Sequence, residues 1–584
     1  MISTHCKNER AASAALFHAE STLLSARAIG VVRLLGAVVI ALAWLIPNHY
    51  PPWTSFYNEA CMATGFALLA LGIAAQRPAT GMPGLAWALL AVAAVPWCQW
   101  AAGLLAFSGD AWVASLYLLG FATAVSTGYR AGKVDAQALA ATLSVAALTA
   151  AAISTLLAMM QVFELGSLGI WIVDIQAGMR AGANMGQSNN LATLLGLGAV
   201  ALLLLREQGR IGPVGAAALL VLLMVGLSLT QGRIGLLFGP VVWLGLWLAV
   251  RRGVGFRTRL REVGVATVVS WLLIWAEPIL LRASELASYQ SVAERGVKSL
   301  RFEVWPILFD GLSLHPWRGY GWLQVGAAEL AAADRHPPVG ELYLQAHNLF
   351  FELVIWCGYP LGLVLGLGVV YWFITRVSRV ASIEAVVGML VVAIAGVHAM
   401  LELPYHYAYF LIPVGLWMGL VEASIGAPAV LAPRWQRATT LASLALFVAI
   451  CWDYPPVEDD FRLVRFELLK VGTLHATQPA PDAPFLSSLT EYLRAARNTP
   501  RPGMSPEELD RMRAVVDRYP YAAGMSRYAS ALALNGRSEE ARVMFAKILH
   551  IHGKTTYARA KAGLREAALE GPPALHALEL SIPP

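Results

Sequence analysis

Thirteen apolar runs, each near the length of a bilayer crossing, decide what this chain folds into. They are residues 30–46, 57–75, 84–106, 111–127, 135–160, 189–206, 211–230, 234–250, 263–281, 347–374, 383–401, 406–425 and 437–453. A hydrocarbon core about 30 Å thick takes about 20 apolar residues of helix, and a backbone inside it must satisfy its own hydrogen bonds. The runs therefore predict an all-α polytopic membrane protein, a bundle of about 13 transmembrane helices. Composition agrees, with 57% of the 584 residues hydrophobic and 14% charged, against about 25% charged in ordinary soluble proteins.

The loops between the runs carry a topology signal. Lys7, Arg10 and Arg27, then Arg77, Arg130 and Lys133, Arg206 and Arg210, the cluster from Arg251 to Arg261, Arg376 and Arg379, and Arg434 and Arg437 all fall in one alternating set. In the other set, residues 47–56, 107–110 and 402–406 contain no Lys or Arg, and 161–188 contains only Arg180. Basic loops stay cytoplasmic, so the N-terminus is predicted inside, the C-terminus outside, and the long 282–346 loop on the outer face. A net charge of +6 spread this way marks topology and a lipid bilayer partner, not a nucleic-acid surface. The first run ends in Ile-Pro-Asn-His-Tyr-Pro-Pro without a small-residue cleavage pattern and reads as a retained span rather than a secretory leader. Cys6, Cys61, Cys98, Cys357 and Cys451 have no paired spacing that suggests zinc or a disulfide framework.

Three parts follow: a cytoplasmic segment 1–29, a transmembrane domain 30–453 that includes the 282–346 loop, and an outer helical domain 454–584. Asp453 to Leu469 is charged and helical in pattern, and Gln478 to Pro502 is a Pro-rich linker. Ser505 with Glu508 forms a capping-box signature. The stretch from Ser526 to His552 then has the pattern of one helix-turn-helix of the tetratricopeptide type, fewer units than such a repeat needs to stand alone. This small soluble domain suits binding or support.

Four polar constellations sit on the outer side. In Gly182-Ala-Asn-Met-Gly-Gln-Ser-Asn-Asn190, Asn184 and Gln187 belong to a run richer in amides than a helix cap requires. Arg233, in Thr230-Gln-Gly-Arg, puts a cation on the face that the charge bias leaves neutral, a position an anionic ligand would offset. Lys298 to Trp305 brings Arg301 into an amphipathic stretch. The fourth joins His347 and Asn348, where a Gly-rich loop enters an apolar run, with His398, Glu402 and Tyr405 to Tyr409 around a short turn. Arginines grip diphosphate oxygens in a fork, and a neutral His can take a proton from a hydroxyl. No carboxylate cluster, His-rich spacing or Gly-Lys-Ser/Thr loop points to a metal or to ATP. Transfer from a pre-activated diphosphate donor held in the membrane is the chemistry left.

The run His315-Pro-Trp-Arg-Gly-Tyr-Gly-Trp-Leu-Gln-Val-Gly, followed by Gln345-Ala-His-Asn-Leu-Phe-Phe-Glu, resembles the signature of the O-antigen ligase and polymerase superfamily. The segments 182–192 and 398–419 resemble motifs of its bacterial protein O-oligosaccharyltransferase branch. The resemblance implies a GT-C-like membrane fold and an inverting, metal-independent glycosyltransferase without cofactor, in the bacterial inner membrane with its site facing the periplasm. It implies a glycan donor on undecaprenyl diphosphate and, as acceptor, Ser or Thr of a pilin or other exported protein. By the same resemblance His347 is the essential His and general base. Arg233 and Arg301 bind the diphosphate, with Arg295 and Lys298 as alternatives for the loop position. Asn184, Gln187, Asn348, His398, Glu402 and Tyr405 are the substrate-binding or supporting residues. The alternative within the superfamily is an O-antigen ligase that delivers the glycan to lipid A core.

Overall fold

A computed structural model describes residues 26–47, 49–76, 80–165, 169, 172, 180–283, 291, 294, 300–468 and 479–583. Every one of the thirteen apolar runs lies on helix. The helices are α1 (Ala26–Leu45), α2 (Phe56–Gln76), α3 (Gly84–Ala93), α4 (Val95–Ala101), α5 (Ser108–Val162), α6 (Ser188–Glu207), α7 (Pro213–Thr230), α8 (Gly235–Arg251) and α9 (Leu260–Ala283). Next come α10 (Arg301–Leu314) and α11 (Val325–Ala332) on the outer side, then α12 (Leu349–Val377), α13 (Ile383–Ala399), α14 (Ala408–Ser424) and α15 (Pro433–Leu468). Among the described residues nine apolar helical stretches are long enough to cross a membrane, and α8, α13 and α14 are shorter apolar helices. The protein is thus an all-α, multi-pass membrane protein.

Four runs fold differently from a plain span. α5 has 55 residues, roughly 80 Å if straight and far more than a bilayer needs. It breaks at Asp135 (φ −158°, ψ 81°), so the runs 111–127 and 135–160 are its two limbs. The run 84–106 is split between α3 and α4, with Pro96 in the first turn of α4, and its helix stops at Ala101. The run 347–374 is divided at Gly358 (φ 72°, ψ 172°) into an outer limb of nine residues and a longer limb from Tyr359 to Val377. A side chain at Gly358 would lie 2.5 Å from the Trp317 carbonyl. The 315–321 turn fills the break: Tyr320 and Gly321 donate to the Ile355 and Trp356 carbonyls at 2.8 and 3.0 Å, and Tyr359 donates to Pro316 at 2.8 Å. Helix carbonyls orphaned by the kink are satisfied by a loop that can approach only because Gly358 lacks a Cβ.

Close backbone approach also holds the membrane core. Gly128 and Gly132 on α5 face Gly415 and Gly419 on α14, and an added Cβ at Gly128 or Gly419 would come within 2.0 Å of the Leu416 or Val125 carbonyl. Small residues four apart let two helices meet where lipid tails compete with any larger apolar side chain.

The last apolar run continues without interruption into the charged segment that follows: α15 runs from Pro433 through Asp453 to Leu468. Beyond it lie α16 (Ser487–Arg497), α17 (Pro506–Arg518), α18 (Ala522–Leu534), α19 (Ser538–Glu570, broken at Gly553) and α20 (Pro573–Ser581). The capping box forms, with the Glu508 amide donating to Ser505 Oγ at 3.2 Å and the Ser505 amide to Glu508 Oε2 at 2.9 Å. α18 and α19 make a helix-turn-helix around Gly536 (φ 80°). Their core, including Met525, Leu532, Phe545 and Ile548, also takes in Leu330 and Ala333 from the segment between α10 and α12. Arg518 donates to both carboxylate oxygens of Asp110 at 3.1 and 3.0 Å. His550 Nδ1 lies 2.8 Å from the His336 carbonyl. The outer helical domain is therefore built onto the segment that leads to His347.

Candidate active site

Two short segments at the outer ends of α12, α13 and α14 face each other and build the site. The first runs from Ala346 to Glu352. Asn348 caps α12, accepting from the Phe351 amide at 3.0 Å, while its Nδ2 donates to the Met400 carbonyl of the second segment at 3.0 Å. Between a fully buried Ala346 and this cap, His347 adopts a left-handed backbone with φ 55°. Such a conformation costs a non-glycine residue about 1–3 kcal/mol and persists only where neighbours enforce it. Here the Ala346 amide donates to Glu352 Oε1 at 2.8 Å and its carbonyl accepts from Trp305 Nε1 at 2.9 Å.

The left-handed turn brings His347 Nδ1 to 2.7 Å from Glu402 Oε2. A carboxylate only accepts, so Nδ1 carries the proton and the lone pair of a neutral ring resides on Nε2. Glu402 is 5% exposed, and its other oxygen accepts from Arg301 Nη2 and, at 2.8 Å, from Asn189 Nδ2. Burial pushes this carboxyl up, but the His347 hydrogen bond and the Arg301 charge outweigh it and its pKa is lowered. A second pair mirrors the first, with His406 Nε2 2.8 Å from Glu352 Oε2. Each segment thus contributes one His and one Glu, and the pairs cross.

The cations converge from three directions. Arg301 begins α10. Arg233 closes the turn between α7 and α8, where Gln231 is left-handed (φ 46°) and donates to Ser228, Ile274 and Glu277 at 3.0, 2.9 and 2.9 Å. A Cβ at Gly232 in this turn would meet Asn189 Oδ1 at 3.4 Å, so the turn abuts the residue that bonds Glu402. Arg180 reaches the same turn, its Nη1 donating to the Gln231 carbonyl at 3.2 Å. Burial lowers the Arg180 pKa, Glu402 opposes that, and the charges of Arg233 and Arg301 add to it. Arg301 thus bonds Glu402 directly, and Arg180 bonds the turn that carries Arg233.

The remaining sequence candidates divide between support and periphery. Asn184 is fully buried; its Nδ2 donates to the Trp44 carbonyl at 2.6 Å and its own carbonyl lies 2.9 Å from His49 Nε2, which ties the amide-rich loop to α1. Gln187 sits at the start of α6 without a capping side-chain bond, so the run does not serve as a helix cap there. Its other amides act tertiarily, Asn189 on Glu402 and Asn190 on Tyr409 at 3.1 Å. His398 is buried beneath the site with Nδ1 2.8 Å from Thr193 Oγ1, and its carbonyl accepts from the Glu402 amide at 2.7 Å. Tyr405 packs beside His406, ring centres 4.9 Å apart, and burial together with Glu352 pushes its phenol well up. Arg295 and Lys298 lie outside the described residues.

Sequence reasoning missed Arg180, Asn189 and Glu352 as members of the site. The signals were present: Arg180 was the one basic residue in its outer loop, Asn189 lay in the amide run, and Glu352 followed His347 by five residues on a helix start. None of them indicated which distant residue each would meet. Among the described residues no three His, Cys, Asp or Glu side chains gather as metal ligands.

Comparison with known proteins bears on the same residues. Residues 216–366, which include Arg233, Arg301 and His347, match the family described as O-Antigen ligase. Residues 386–567, which include Glu402 and His406, match the family described as Virulence factor membrane-bound polymerase, C-terminal. The chain is 27% identical over 551 residues to a general O-oligosaccharyltransferase of Acinetobacter baylyi, covering 89% of this chain and 92% of that one. It is also 28% identical over 275 residues to a ComP-specific O-oligosaccharyltransferase of the same organism, covering 47% of this chain and 49% of that one. One family match thus falls on the His347 side of the crossed pairs and the other on the Glu402 side, and the chain is similar along nearly its whole length to a general O-oligosaccharyltransferase.

Proposed function

We propose that this enzyme transfers a preassembled glycan en bloc from undecaprenyl diphosphate to a Ser or Thr hydroxyl of a pilin or another exported protein. It does so at the periplasmic face of the inner membrane, with about 13 crossings, a cytoplasmic N-terminus and a periplasmic C-terminal domain, the topology supported by the alternating basic loops. The observation that carries the reading is the 2.7 Å contact between His347 Nδ1 and Glu402 Oε2. It leaves Nε2 to accept the proton of the acceptor hydroxyl, while the carboxylate stabilises the imidazolium that forms.

In the transfer step the acceptor oxygen attacks the anomeric carbon, the bond from that carbon to the diphosphate oxygen breaks, and the diphosphate leaves with the electron pair. A single displacement inverts the centre and needs no carboxylate nucleophile. Arg233 and Arg301, with Arg180 on the turn that carries Arg233, supply guanidinium groups for the two negative charges of a diphosphate diester. Asn189 and Arg301 keep Glu402 ionised and aimed. Asn184, Asn348 and His398 act on the backbone of the site, and the helical domain beyond α15 supplies a surface for a protein acceptor.

The match of residues 216–366 to O-Antigen ligase supports a second reading, transfer of the same glycan to a sugar of lipid A core. One experiment separates them: co-expression with a lipid-linked glycan pathway, a pilin and a lipid A core acceptor, followed by intact-mass measurement of both. The pilin gains the glycan mass in the wild type, and His347→Ala lowers the initial rate by about 10²–10⁴-fold. An unmodified pilin beside a modified core would replace the first reading by the second. Wild-type turnover by His347→Ala would remove the base from the mechanism.

A further inference from the structure

One His–Glu pair is spoken for by the transfer reaction; the other touches no reacting atom. We propose that Glu352 and His406 are positioning residues that hold the catalytic pair in register, an inference that rests on His347 as the base. Glu352 has no exposed surface, and its two oxygens act in different directions. Oε1 takes the amide of Ala346, the residue before His347, at 2.8 Å. Oε2 meets His406 Nε2 at 2.8 Å, four residues beyond Glu402 in the opposite segment. One buried carboxyl therefore ties the backbone beside His347 to the side chain of a residue four positions beyond Glu402.

His347 gains from such a hold because its left-handed backbone, φ 55°, is uncommon for any residue with a Cβ, even for His, which visits it more readily than most. Release of the Ala346 amide lets the turn relax toward the ordinary region, which swings the ring off Glu402. The ring of Trp356 lies 5.8 Å from that of His406 and the half-buried Tyr405 packs beside it at 4.9 Å, so aromatic rings hold the His406 ring where Glu352 meets it. The crossing itself matters: a His and a Glu on each segment make the two contacts succeed or fail together.

The test uses the full-length enzyme in detergent or nanodiscs, with Glu352→Ala, Glu352→Gln, His406→Ala, His347→Ala and the double variant His347→Ala/Glu352→Ala. Binding of undecaprenyl diphosphate counts the folded sites in each preparation. Glu352→Ala and His406→Ala are expected to lower kcat per binding site by about a hundredfold, as misplacement of a reacting group by an ångström does, with donor KM within about twofold of wild type. Glu352→Gln, which still accepts from Ala346, recovers most of the loss. The double variant is no slower than His347→Ala alone, because Glu352 acts only through His347. Equal kcat per site in Glu352→Ala and wild type, or a further loss in the double variant, would overturn the positioning role while leaving His347 as base. Activity in His347→Ala would instead bring down the reading on which it rests.

Discussion

The membrane core and the outer face of this protein are held together by opposite means. Between α5 and α14 the contact is backbone against backbone at Gly128 and Gly419, with Gly132 and Gly415 admitting the side chains of Ala423, Phe121 and Ala124, in a core rich in Ala, Leu and Val. At the ends of α12, α13 and α14 the contacts are crossed His–Glu pairs and the Arg301–Glu402 ion pair, and the Arg518–Asp110 pair joins the helical domain. In hydrocarbon, apolar side chains gain nothing by leaving lipid, so geometry decides, and small residues win. At the aqueous face, buried charge is tolerated only when paired, so chemistry decides, and the pairs become the site. The core sets where helix ends arrive; the outer pairs set what those ends can do.

That contrast can be broken from either side. The largest effect is expected at the guanidinium cluster, where Arg233→Lys or Arg301→Lys keeps the charge but loses the fork. Each lost charge-assisted contact is worth about 1.5–3 kcal/mol, so transfer at limiting donor falls by about ten- to more than a hundredfold. A full donor titration of the purified variants checks this, and wild-type curves for both would make these arginines interfacial anchors only. The core answers differently. At Gly419 a Cβ would lie 2.0 Å from the Val125 carbonyl, and Gly419→Val is expected to cost about 1–3 kcal/mol or more of stability. Thermal inactivation in detergent should shift to lower temperature while kcat per folded enzyme stays near wild type. If instead kcat fell with no loss of stability, core and site would not be separable in this way.

A third test concerns pH. Glu329 on α11 is 1% exposed, with Oε2 accepting from the Tyr343 amide at 2.7 Å and Oε1 buried without a partner among the described residues. Burial pushes its carboxyl up from 4.5 to about 8; the Tyr343 bond opposes this and Glu341 adds to it. Between those two values the folded protein keeps a proton that the unfolded chain has lost, so this group makes stability fall as pH rises from 4.5 to about 8. Glu329→Gln should flatten that part of the Tm-against-pH curve. An unchanged slope would mean that Glu329 is not a source of the dependence.

What could be read from the chain alone followed from forces that act locally. Hydrocarbon forces every long apolar run into helix, so the positions of the runs and the alternation of basic loops were legible without any tertiary information. His347 and Arg233 stood out for the same local reason, being polar groups set where an apolar segment meets water. The break at Gly358 was not legible, because the segment's hydropathy continues unbroken through it and only the approach of the 315–321 turn requires the missing Cβ. Nor was the partner of His347. Glu402 lies 55 residues away, Arg180 reaches the site across the 51 residues that separate it from Gln231, and Asn189 meets Glu402 over 213. Hydropathy and local propensity determined which segments are apolar helices and which residues lie at their ends. Which side chains touch there was decided by the packing of α5, α6, α13 and α14, since a hydrogen bond of 2.7 Å depends on where helix ends meet and on nothing either segment carries by itself.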